Sequence, residues 1–166
     1  MRRLLITSGL VSLLLVSAAC ASDTVTPGDG GSPTTTAAAT KPEVKVPDGP
    51  PPTTLVINDL IEGTGPEVKA GDTAVVQYVG VSYSTGKQFD ASWDRGSPPD
   101  YEPFAVENVG MAQVIDGWNE GIPGMKVGGR RQLIIPPDLA YGPDGRPPVI
   151  GPNETLIFVI DLLEIQ

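Results

Sequence analysis

The chain contains no histidine and only one cysteine, Cys20, among its 166 residues. Without His there is no Ser-His-Asp or Cys-His nucleophilic site and no imidazole to hold zinc. One Cys cannot close an internal disulfide or build a thiolate cluster. Basic residues are scarce: 11 Lys and Arg stand against 20 Asp and Glu, for a net charge of −9. Such a chain has no general attraction for nucleic acid, which is excluded as a partner. There is no Gly-rich phosphate loop, metal-ligand cluster or internal repeat, so no metal and no cofactor is expected. Aromatic residues make up only 5% of the chain, whereas Gly and Pro reach 20 and 18 residues. That mixture reads as a disordered part beside a smaller folded part, and the length allows one domain.

The first twenty residues read as a targeting segment. Arg2 and Arg3 precede a mostly apolar run, Leu4 to Val16, followed by Ser17, Ala18, Ala19 and Cys20. The run is shorter than the roughly 20 residues of a membrane-spanning helix, and it fits the core of a secretory signal peptide. The small residues before Cys20 resemble a bacterial lipoprotein cleavage site, where the Cys carries the lipid. Ser17 departs from that pattern, which usually has Leu there. Lipid attachment at Cys20 would make this an exported lipoprotein on the outer, or periplasm-facing, side of a cell membrane. Residues 21–54 hold seven Pro, eight Thr, four Gly and no aromatic residue. They read as a disordered tether that cannot bury enough apolar surface to fold.

Composition changes at Leu55. Every Trp, Tyr and Phe lies in 55–166, which is read as the folded domain. Strands are expected at Leu55–Ile61, Thr73–Tyr83, Gln88–Asp90, Arg130–Ile135 and Thr155–Ile165. In the last of these, Leu156, Phe158, Ile160 and Leu162 share one face, and Asp161 on the other suggests a solvated face. Val114, Ile115, Trp118 and Ile122 recur at near-helical spacing, closed by Gly121 and Gly124. So short a helix must pack on the sheet through Trp118. The expected class is α+β.

Four blocks are more specific. They are Gly86-Lys87-Gln88-Phe89-Asp90-Ala91-Ser92; Val114-Ile115-Asp116-Gly117-Trp118-Asn119-Glu120-Gly121; Gly124-Met125-Lys126-Val127-Gly128-Gly129-Arg130-Arg131; and Ile135-Pro136-Pro137-Asp138-Leu139-Ala140-Tyr141-Gly142. In this order, with the closing strand Thr155-Leu156-Ile157-Phe158, they resemble the FKBP family, the tacrolimus-binding type of peptidyl-prolyl cis-trans isomerase. The resemblance implies a twisted antiparallel β-sheet wrapped around one short α-helix, with an apolar pocket between them for a prolyl ring. It puts pocket walls at Tyr78, Phe89, Phe104, Val114, Trp118, Ile150 and Phe158. It puts reaction-assisting groups at Asp90, Tyr141 and the backbone N–H of Ile115.

Three departures stand out. Arg146 occupies a rim position that is often His, and Leu139 a position that is aromatic in some relatives. The loop from Gly96 to Pro103 looks long, which leaves either Phe104 or Tyr101 as the wall. The activity implied is isomerisation of Xaa-Pro bonds in exported proteins. The alternative is a non-catalytic module that binds proline peptides. Proline-containing polypeptides are the expected partners, with macrolides of the tacrolimus type, and the protein is expected to be a monomer held to the membrane by its lipid.

Overall fold

The computed structural model describes residues 40–98 and 100–166. The expected leader, Cys20 and residues 21–39 of the expected tether lie outside the described residues. The strands are β1 (Val56–Ile61), β2 (Ala74–Ser82), β3 (Gln88–Ala91), β4 (Gly96–Ser97), β5 (Asp100–Tyr101), β6 (Phe104–Val106), β7 (Arg130–Ile135) and β8 (Leu156–Ile165). One α-helix, α1 (Asp116–Gly121), precedes β7. Strands form where β-branched residues cluster, because such side chains fit a pleated, half-buried surface. The main sheet is antiparallel, in the order β1-β7-β8-β2-β3, with β6 also paired to β2. β4 and β5 form a separate small hairpin.

The helix starts later than the apolar spacing suggests. Val114 and Ile115 precede it, and Ile115 is extended at φ −63° and ψ 149°. Gly117 and Gly121 let the helix lie directly on the sheet. A β-carbon on Gly121 would stand 2.6 Å from Leu133, and one on Gly117 would collide with Ile135. The buried Arg131 fastens the far end of the helix. Its guanidinium donates to the Gly121 carbonyl at 2.8 Å and the Pro123 carbonyl at 3.1 Å, and pairs with Asp59 at 2.6 Å. It thereby satisfies carbonyls that a helix end leaves without partners.

The core between helix and sheet contains Val76, Tyr78, Trp118, Ile122, Leu133, Ile135, Phe158 and Ile160. The opposite face of the sheet is not solvated, contrary to the expectation drawn from Asp161. That carboxylate is 0% exposed and is held by Arg130 through bonds of 2.5 and 2.9 Å. Burial pushes its acidity down, raising its pKa, while Arg130 opposes the shift.

What covers this face is the end of the supposed tether. Val44 and Val46 pack against Val79, Val81 and Trp93 on one side and Tyr83, Ile134 and Ile157 on the other. Polar contacts reinforce this strap. Lys41 meets Asp94 at 2.6 Å, Arg130 donates to the Thr40 carbonyl at 2.9 Å, and the Tyr83 hydroxyl donates to the Pro47 carbonyl at 3.2 Å. The boundary drawn at Leu55 therefore moves upstream, and residues 40–54 belong to the packed structure. The segment Glu43-Val44-Lys45-Val46 alternates polar and apolar, as a half-buried extended chain does.

Candidate active site

A cavity of about 360 Å³ opens between α1, the sheet and the loops flanking them. Five rings build its walls in mutual edge contact. Trp118 is central, with centroids 5.2 Å from Tyr78, 5.2 Å from Phe158 and 6.1 Å from Phe104. Phe89 meets Phe158 at 5.5 Å with an interplanar angle of 85°. Edge-to-face pairs are each worth about 0.5–1.5 kcal/mol beyond area burial, so the rings support one another in this arrangement. Gly80 on β2 makes room for it. A β-carbon there would sit 2.7 Å from Phe89 and 2.9 Å from Phe158.

The opposite wall is the loop leading into α1, with Gln113, Val114 and Ile115 on the cavity. Asn119 fixes this loop by accepting from the Ala112 N–H at 2.8 Å and donating to the Ala112 carbonyl at 3.1 Å. Among the described residues no acceptor takes the Ile115 N–H, whose own carbonyl is used by Trp118 at 3.0 Å. Tyr141 stands across the mouth, after a single 3-10 turn at Pro137–Leu139. Its phenol likewise has no hydrogen-bond partner among the described residues. Two donors at the rim are thus left unspent.

One end of the cavity is polar and internally balanced. The Tyr78 hydroxyl donates to Asp90 at 2.6 Å, and Arg95 donates to Asp90 at 3.0 and 3.2 Å and to the Tyr78 oxygen at 2.8 Å. Burial, then the neighbouring Asp90 carboxylate, pushes the Tyr78 phenol up to about 12. Burial works against the Arg95 charge, but Tyr78 and Asp90 outweigh it and raise its pKa. The phenol stays protonated and the guanidinium charged across the whole neutral range.

Of the residues singled out from the sequence, Tyr78, Phe89, Asp90, Phe104, Val114, Ile115, Trp118, Tyr141 and Phe158 all line this cavity. Ile150 does not. It is buried in the core and borders an adjoining cavity with Phe89, Tyr141 and Arg146. Between Phe104 and Tyr101, the wall is Phe104. Tyr101 lies on the other face of the sheet, 5.0 Å from Trp93. Arg95 and Gln113 escaped the sequence reading. Arg95 carried a signal, a cation five residues after Asp90 in the same loop.

An aromatic box with two unspent donors at its rim, and the Trp118 Nε1–H buried without a partner among the described residues, is a site shaped for a small apolar ring carried between carbonyls. The chain belongs to the FKBP-type peptidyl-prolyl cis-trans isomerase family, whose sequence profile matches residues 65–163. An FK506-binding protein of Streptomyces anulatus is 54% identical over 126 residues, covering 75% of this chain and 97% of that one. A probable FK506-binding protein of Corynebacterium glutamicum is 50% identical over 124 residues, covering 74% and 97%. Among solved structures, FkpA from Escherichia coli is similar, with a TM-score of 0.59 and 40% identity over 77% of this chain and 54% of that one. The fold and family read from the sequence blocks agree with these findings.

Proposed function

We propose that this protein catalyses cis–trans isomerisation of Xaa-Pro bonds, with the prolyl ring seated on Trp118. The observation that carries this reading is the five-ring box open to solvent beside two unspent donors.

Amide resonance sets the barrier to rotation at about 18–20 kcal/mol. Rotation needs no covalent intermediate. It needs a site that binds the twisted amide better than the planar one. The twisted form has less charge separation, so an apolar cavity favours it. The Ile115 N–H and the Tyr141 phenol are suited to the substrate carbonyls on either side of the ring. Asp90 and Arg95 act by position, holding Tyr78 against the cavity. No group has to exchange a proton, so the lack of histidine costs nothing. Ligands of the tacrolimus type would fill the same box.

The leader supports a second element of the reading: export, cleavage before Cys20 and lipid attachment there. Clients would then be exported polypeptides containing proline. Mass spectrometry of the membrane fraction should find Cys20 as a lipidated N-terminus; intact residues 1–19 would refute the anchor.

The deciding assay is the refolding of a protein limited by proline isomerisation, followed with the purified chain present. Acceleration that saturates with substrate is expected. Binding of proline peptides without acceleration would reduce the protein to a peptide-holding module.

A further inference from the structure

We propose that Arg146 makes the site selective for prolyl segments that carry an acidic residue beside the proline; this rests on the isomerase reading above. Arg146 lies on the rim where three hollows meet. It borders the main cavity, the adjoining one with Phe89, Val149 and Ile150, and a third with Gln113, Asp116 and Ala140. A chain leaving the prolyl pocket toward either neighbouring hollow passes its guanidinium.

That guanidinium is available. Arg95, Arg130 and Arg131 each have a carboxylate within hydrogen-bond distance. Arg146 is the one arginine among the described residues with no carboxylate within 4.0 Å. Its side chain rests over the Tyr141 ring, 5.8 Å from the centroid. This contact orients the charge at the mouth without neutralising it.

The charges along the main cavity are Asp90, Arg95 and Arg146. The first two cancel at 3.0 Å, leaving Arg146 as the excess. Asp116 borders only the third hollow, beyond the main cavity. Gln113, which lines the main cavity and the third hollow together with Arg146, is uncharged. The mouth is therefore locally cationic on a chain of net charge −9. At physiological salt the overall negative field fades within about 8 Å, whereas a contact pair is screened less. A carboxylate next to the proline meets Arg146 at contact; a lysine there meets an uncompensated like charge.

The test uses the purified full chain and two series of short peptides, with Glu, Gln, Leu or Lys placed just before or just after the proline. In one series the ratio of kcat/KM for Glu over Gln should exceed one, and Lys should fall below Gln. Arg146→Gln should reduce the Glu preference by about two- to fivefold, the range of exposed ion pairs. Arg146→Lys should retain most of it, and Arg146→Glu should invert the order of Glu and Lys. A merely structural stacking role for Arg146 would change all peptides alike and leave the ratios fixed. Ratios unaffected by all three substitutions in both series would overturn the proposal. Absence of turnover on the Leu peptides by the unaltered protein would instead defeat the isomerase reading beneath it.

Discussion

Gly80→Ala tests the aromatic box without touching any group that meets substrate through a polar atom. The new methyl would lie 2.7 Å from the Phe89 ring and 2.9 Å from Phe158. Carbon contacts relax at about 3.5 Å, so the two rings must retreat by roughly 0.7 Å or the strand must shift. Overpacking of this kind costs about 1–3 kcal/mol, and about 0.5–1 kcal/mol is returned because Ala tolerates a strand better than Gly. The net loss is at most about 2.5 kcal/mol. At roughly 4 °C per kcal/mol for a domain of this size, Tm should fall by up to about 10 °C. The activity should suffer more than the stability, because displacement of this order in a positioned site costs about tenfold or more in kcat/KM. Thermal unfolding and a peptide isomerisation assay measure the two effects. Adding Phe89→Leu should restore stability, since the smaller side chain yields space, but not activity. A Gly80→Ala protein with unchanged Tm and unchanged kcat/KM would show that the rings do not stand where this reasoning needs them.

Three further outcomes are expected. Val44→Ala with Val46→Ala should lower stability by about 1–3 kcal/mol, at about 0.8 kcal/mol per buried methylene discounted for partial exposure; an unaltered denaturation midpoint would return residues 40–54 to the status of a loose tether. Tyr141→Phe should weaken ligand binding by about 0.5–1.5 kcal/mol, the worth of one neutral hydrogen bond, measured by the quenching of Trp118 in a Trp93→Phe background; no change would deprive the phenol of its role. Turnover should be flat from pH 6 to 9, because Tyr78 keeps its proton to about 12. The same shift predicts that its contribution to stability is complete below pH 10 and lost as pH rises through about 12. Tyr78→Phe should lack that alkaline decline, and an identical decline in both proteins would contradict it.

The strands were legible because runs such as Ala74–Ser82 and Leu156–Ile165 combine β-branched side chains with clear turn residues at their ends. The site was legible for a different reason: Phe89, Trp118, Tyr141 and Phe158 fall in motif blocks, and the family resemblance those blocks carry pointed to Tyr78 and Phe104. What misled was chemistry serving two purposes. Val114 and Ile115 have helical spacing with Trp118, yet they are apolar because they wall a cavity, and the backbone before the helix is extended. Asp161 looked like a marker of solvent, but a buried carboxylate is tolerable once a bidentate arginine reaches it. The strap was hidden by its own composition. Proline and threonine dominate residues 40–54, and only Val44 and Val46 reveal an apolar edge. Arg95 was missed because an ion pair across a loop leaves no periodicity to find.

The place of β8 in the sheet has a consequence for how the protein is made. It is the last strand in chain order, yet it lies between β7 and β2, pairing Gly80 with Phe158 and Leu133 with the same residue. Until Leu156–Ile165 has left the ribosome, β2 and β7 have no common neighbour, and Trp118 has no Phe158 to rest against. The strap waits as well, since Thr40 and Val46 meet Arg130 and Ile157. Those contacts of the strap, to Arg130 and Ile157, join residues far apart in the chain, whereas its contacts to Val79, Tyr83 and Trp93 are nearer. Contacts so distant along the chain form slowly, so closure of the sheet waits on the arrival of β8 between its two neighbours.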